Sequence, residues 1–299
     1  PLRLVRGHAR RAGRRGRDGR DVHDVAQDFL EQNLGDLESN KLIASATSVN
    51  SRIKTVSTLE EAIVDAQWVQ ENALERVAIK RKLFDQIDKL SPVQTIIASS
   101  TSAIPCSEIN TGMHGAARML VAHPANPPYL LPIVELSGSL ETSKDTLDRS
   151  REFLEEVGME VITVNKETKG FVLNRLQVAL LNEAFKLIED GVVSGADLDK
   201  TLKHGLGLRW SFMGPMETID LNAPGGIRDY LERFGPSFEE IAQEQTEMRP
   251  WNSDKYKHLE QDRRTVMKSD ELKERAKWRD RRLMALARHK REIDKQLGT

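Results

Sequence analysis

Between about residues 53 and 165 short apolar runs alternate with segments of helical periodicity, and beyond residue 166 the alternation stops. That change of pattern constrains the fold more than any single motif. Thr95-Ile96-Ile97-Ala98 is a continuous apolar run of the kind buried on both faces of a parallel sheet. Met119–Ala122, Ile133–Leu136 and Val161–Val164 read the same way, with Ile53–Val56 and Trp68–Gln70 as shorter strands. Helical stripes separate them: Leu59–Ala66, then Leu83, Phe84, Ile87 and Leu90 closed by Pro92, then residues 143–157. Upstream, Val25, Phe29 and Leu30, continued loosely by Leu34, form one more stripe. Strands alternating with helices predict a Rossmann-type, doubly wound α/β sheet over residues 22–165. After it Leu173, Leu176, Leu180, Leu181, Ala184, Leu187 and Ile188 keep helical spacing until Gly191. No strand pattern follows. Ser194 opens a helix start at Asp197, Gly205-Leu206-Gly207 reads as a flexible bend, and Leu272, Leu283, Leu286 and Ala287 stripe a charged C-terminal helix. Residues 166–299 are therefore predicted to be all-α.

The remaining global features mostly exclude. A chain of 299 residues can bury two cores of ordinary size. Net charge is −1, which points to neither nucleic acid nor an anionic membrane, and no apolar run has the length of a membrane span. The lone Cys106 excludes a disulfide framework and suits a reducing, cytoplasmic setting. No Cys/His cluster has metal-ligand spacing, so no metal is expected. Residues 1–21 are abnormal: eight arginines stand there against Asp18 and Asp21, and no serine is present, unlike most organelle presequences. Gly13, Gly16 and Gly19 are spaced by three, but no apolar strand precedes them and no apolar helix follows. The expectation is that the first strand, the glycine loop and the second strand are missing or scrambled, with none of Asp18, Asp21 and Asp24 assigned to a ribose.

Four stretches carry candidate chemistry. Ala98-Ser99-Ser100-Thr101-Ser102 follows a predicted strand, so its hydroxyls sit at the carboxyl end of the sheet, where open α/β folds bind ligands. Val121-Ala122-His123-Pro124-Ala125-Asn126-Pro127-Pro128 ends another strand with a histidine. Glu135 is a lone carboxylate in Pro132-Ile133-Val134-Glu135-Leu136, and Asn174 lies on the first turn of the long helix after Gly170-Phe171. Each alone has an ordinary explanation: a structural histidine, a buried glutamate paired with a cation, a loop hydroxyl, a polar residue at a helix start. Together they fit removal of a hydride from a secondary alcohol. That reaction needs a base such as imidazole, a carboxylate to orient it, and neutral donors such as Ser and Asn to hold the substrate oxygen. Nothing in the chain accepts the hydride, which implies a nicotinamide cofactor.

In type, order and separation the set Ala98–Ser102, His123–Pro128, Glu135 and Gly170–Arg175 resembles the 3-hydroxyacyl-CoA dehydrogenase family, over residues of about 53–220. The stretches AHPANPPYLLPIVEL, GFVLNRLQVALLNEAFKLIEDG and GLGLRWSFMGPMETIDLNAPGG resemble its lambda-crystallin and L-gulonate 3-dehydrogenase branch. The resemblance implies His123 as general base, Glu135 as its partner, and Ser102 and Asn174 as the groups holding substrate. It places Glu75, Lys80, Ser102 and Asn126 beside NAD, although Glu75 and Lys80 also read as a solvated helix face. It makes residues 22–165 the incomplete NAD-binding domain and 166–299 a substrate and dimerisation domain, with a homodimer as the assembly. Arg209 interrupts a segment that runs without it in acyl-CoA enzymes, and an Arg fork suits the carboxylate of a small hydroxy acid. Its ordinary alternative is a surface salt bridge. Two other readings stay open: oxidation of a 3-hydroxyacyl thioester in a fatty-acid or polyketide pathway, and a non-catalytic, crystallin-like or degenerate homologue.

Overall fold

The computed structural model describes residues 22–298. The expectations about Gly13, Gly16, Gly19, Asp18, Asp21 and the missing strands fall outside those residues. Helices α1 (Val22–Ser39), α2 (Ala46–Asn50) and α3 (Leu59–Ile63) come first, followed by strand β1 (Trp68–Glu71) and α4 (Val77–Leu90). Strand β2 (Ile96–Ser99), α5 (Cys106–Asn110), β3 (Met119–Pro124), β4 (Ile133–Ser137), α6 (Lys144–Glu156) and β5 (Glu160–Thr163) complete the α/β part. The sheet order is β1-β2-β3-β4-β5, parallel throughout except between β3 and β4. That antiparallel pair has a local cause: no helix lies between the two strands, so the chain doubles back directly instead of crossing over.

Period-two alternation sends neighbouring strand residues to opposite faces. Val69 and Ile97 join Ile63, Phe84, Ile87 and Ile109 in a core under α3, α4 and α5. Trp68, Ile96, Ala98, Leu120, Val134 and Leu136 join Leu154 of α6 in the other. Side chains as fully buried as Phe84 and Ile97 contribute about 1.5–3 kcal/mol each. The predicted strand at Ile53–Val56 is not one. Ile53 and Val56 are exposed, and among the described residues no strand lies beside them to complete a ladder.

The helical part contains α7 (Leu173–Glu189), α8 (Gly195–Thr201), a π-helical turn at Leu202–Leu206, α9 (Gly207–Arg209), α10 (Pro215–Leu221), α11 (Gly226–Glu244), α12 (Lys257–Val266) and α13 (Leu272–Leu297). The bend expected at Gly205–Gly207 is instead continuous helix. The Gly207 N–H reaches back to the Leu202 carbonyl, and a Cβ at 207 would stand 2.8 Å from that oxygen. Glycine there permits the π turn rather than loosening the chain.

By internal contacts the chain forms two compact units, one of residues up to Asn174 together with those from Leu272 onward, the other Arg175–Glu271. The sequence reading grouped α13 with the helical part. Its Leu283 and Met284 in fact pack on Leu30, Leu34 and Leu37 of α1 and on Leu130. Tyr129 joins the same contact, its hydroxyl within 2.9 Å of Asn33 Oδ1 and 3.3 Å of Asp280 Oδ2. α1 and α13 thus brace the segment that follows His123.

Candidate active site

The antiparallel register sets His123 directly opposite Glu135. Facing pairs on one side of such a ladder bring their Cβ atoms to about 5 Å, and here His123 Nδ1 lies 2.7 Å from Glu135 Oε2. Both are nearly closed to solvent, at 5% and 1% exposure. Glu135 Oε1 accepts two further bonds, from the main-chain N–H groups of Val172 (2.8 Å) and Leu173 (2.9 Å) at the start of α7. Burial opposes ionisation of Glu135, but the His123 bond and the two N–H groups outweigh it and hold the carboxyl below its ordinary range. An ionised Glu135 can only accept, so Nδ1 carries the proton and Nε2 is left basic.

Ser102 is exposed in the loop after β2, and its hydroxyl has no hydrogen bond among the described residues. Its peptide is held from both ends. The N–H donates to Glu75 Oε1 at 3.0 Å, and the carbonyl accepts from Asn174 Nδ2 at 2.7 Å. Glu75 Oε1 also takes the Thr101 hydroxyl and the Ala103 N–H. For Glu75 too, burial is outweighed, here by the Thr101 bond, the Lys80 charge and the two N–H groups, so its carboxyl lies below the usual value. Ser102, His123, Glu135 and Asn174 are thereby joined in one polar network, running from the Ser102 carbonyl through Asn174 and the N-terminal turn of α7 to Glu135.

Lys80 does not lie on a solvated face. It is 1% exposed, with Nζ at 3.0 and 3.1 Å from the two oxygens of Glu71 and 3.4 Å from Glu75 Oε2. Glu71, equally buried, also accepts the Ser99 hydroxyl at 2.6 Å and the Ala73 N–H. Sequence reasoning missed Glu71. Its position at the end of β1 was the one available signal, because nothing local ties it to a lysine nine residues on. Thr101 stood in the hydroxyl stretch after β2 and Phe171 in the Gly170–Arg175 stretch, but the sequence assigned neither a role. Asn126 is exposed beyond the end of β3. Arg209 is exposed on α9, in the second unit, and has no ion pair among the described residues. Cys106 is a buried thiol pushed up to about 12 by burial, an unreactive packing residue.

Two family models match. The model of the 3-hydroxyacyl-CoA dehydrogenase NAD binding domain covers residues 19–168, and that of the C-terminal domain covers 170–265. A lambda-crystallin homolog of Homo sapiens is 35% identical over 265 residues, spanning 87% of this chain and 83% of that protein. An L-carnitine dehydrogenase of Streptomyces griseus is 43% identical over 187 residues, 62% of this chain and 56% of that protein. The solved structure of an NAD+-dependent 5-formyl-3-hydroxy-2-methylpyridine 4-carboxylic acid 5-dehydrogenase superposes with a TM-score of 0.75. At 24% identity over 89% of this chain and 86% of that one, it shows the shared fold.

Proposed function

Because the chain belongs to the 3-hydroxyacyl-CoA dehydrogenase family of NAD-dependent oxidoreductases, we propose that it oxidises the 3-hydroxyl of a small free acid such as L-gulonate. His123 is the base and Glu135 its partner. The observation that carries this reading is the buried His123–Glu135 pair, with Nε2 left without a bond among the described residues. The reaction asks the protein for a base at the hydroxyl proton and for donors at the oxygen that becomes a carbonyl. Nε2 takes the proton, and Glu135 stabilises the imidazolium that results. The free Ser102 hydroxyl and the second Nδ2 hydrogen of Asn174 hold the oxygen. NAD, when bound, supplies the hydride acceptor. The described residues fit such a nucleotide: the Glu75 side chain is 45% exposed while its Oε2 stays 3.4 Å from Lys80 Nζ, and Ser102 and Asn126 are open at the carboxyl ends of β2 and β3. Lys80 serves behind Glu75 as its fixed counter-charge.

Preference for a free acid over a thioester rests on Arg209, an exposed residue with no ion pair among the described residues, and on the likeness to a protein named L-carnitine dehydrogenase. A shielded Arg–carboxylate pair contributes about 1.5–3 kcal/mol. Arg209→Met is therefore expected to lower kcat/KM for a 3-hydroxy acid by roughly ten- to a hundredfold while sparing its neutral ester. Arg209→Lys should fall between, lacking the planar fork. Steady-state rates on acid and ester decide it. An unchanged acid-to-ester ratio in Arg209→Met would remove the support for a small acid and favour the thioester.

A second copy of the chain is the partner we propose. On α7 Leu176 is 66% exposed, and on α11 Phe234 and Phe238 are 40% and 48% exposed, too much apolar surface for helices that face only water. Sedimentation should give a dimer at micromolar concentration, and a monomer alone would count against it. The single free, buried Cys106 suits the cytoplasm.

A further inference from the structure

Phe171 is completely buried, yet its φ is 50°, and it follows Gly170 at 79°. Glycine enters the left-handed region freely. A phenylalanine does so against a steric cost, which must be offset elsewhere. Two successive left-handed residues turn the chain just before α7, and the next two N–H groups, those of Val172 and Leu173, converge on Glu135 Oε1. The Phe171 ring packs with Cys106, Val121 and Val164, and its centroid lies 5.6 Å from that of His123.

We propose that Phe171 is a positioning residue for the His123–Glu135 pair: burial of its apolar side chain locks the left-handed turn, and the turn holds two N–H donors on the carboxylate that orients the base. The proposal rests on the reading of that pair given above. One carboxylate then serves two sets of donors, with the turn occupying Oε1 and leaving Oε2 for the imidazole. The donors facing Glu135 are His123 from β3 and the two N–H groups of the turn, and no other charged side chain bonds it among the described residues. Around the ring, Cys106 is a neutral thiol, and nearby Glu167 is engaged by the Ser107 N–H.

Three variants of the full chain separate turn from ring. Phe171→Val keeps an apolar side chain but is β-branched and resists a left-handed backbone. Gly170→Ala leaves the ring in place and strains the turn at its first residue. Phe171→Leu keeps burial and adds no new backbone demand. The readout is the titration midpoint of the Glu135 side-chain carboxyl, followed by carbon-13 NMR, with the amide protons of Val172 and Leu173 as local reporters. Losing donors to the ionised form should raise that midpoint by about one unit, a tenfold gain in proton affinity, in Phe171→Val and Gly170→Ala. Phe171→Leu should stay within a few tenths of the parent, on the same reasoning. If Phe171→Val does not fold, Gly170→Ala answers the same question. Midpoints equal to the parent's in the turn variants overturn the proposal, and so does a shift in Phe171→Leu as large as in Phe171→Val. Because the carboxyl is read without turnover, failure here is distinct from failure of His123 as the base.

Discussion

His123→Ala is expected to lower turnover by about two to four decades, the usual cost of removing a positioned base. The sheet should survive, because His123 stands at the end of β3, with Leu120, Val121 and Ala122 forming the buried body of the strand. Glu135→Gln should cost less. The imidazole would remain, but it would lose the acceptor that fixes its Nδ1 proton and stabilises its cation. In Glu135→Gln the Val172 and Leu173 N–H groups would still find a carbonyl oxygen in the amide, so α7 keeps its start. Hydride transfer followed at 340 nm, a wavelength set by NADH and not by the protein, measures both variants, with circular dichroism as the control for folding. Turnover of His123→Ala equal to the parent's would take the imidazole out of the mechanism.

Lys80→Met should be the most destabilising single substitution considered for the α/β part. It leaves Glu71, 1% exposed, with a negative charge and no cation, after losing bonds of 3.0 and 3.1 Å. Removing one partner of a buried pair costs about 3–5 kcal/mol, mostly as the penalty of the charge left behind. Replacing both partners is milder, so Glu71→Gln combined with Lys80→Met should recover much of the loss. The pair sits behind Glu75, which caps the N–H groups of Ser102 and Ala103, and the single variant should therefore also weaken the Ser102 turn. Urea unfolding at neutral pH gives the stabilities. A loss below about 1 kcal/mol for Lys80→Met, typical of an exposed pair, would mean that water reaches Glu71.

Much of the fold was legible in the sequence. Ile96–Ser99 was visible because a strand buried on both faces must be apolar along its whole length, and α4 because one side of a helix must be. Ser102, His123 and Asn174 were visible as candidates because they stand just past a strand, at the end of one and at the start of a helix, and Glu135 because it is a lone carboxylate in an apolar run. Ile53–Val56 misled for the same reason that the others succeeded. A run of β-formers shows what a residue can do, and a strand also needs a neighbour, which no local pattern reports.

The tertiary structure alone decided the rest. The antiparallel turn from β3 to β4 placed His123 across from Glu135, twelve residues away, and a parallel crossover would have separated them. The pairing of Lys80 with Glu71 rather than with water, the two main-chain donors on Glu135, and the return of α13 to pack on α1 are contacts between distant segments or bonds from the backbone. Backbone donors are the same at every residue except proline, so their direction is written in no side chain. Periodicity along the chain determines which face of an element is buried, and only the packed sheet determines which two charges meet there.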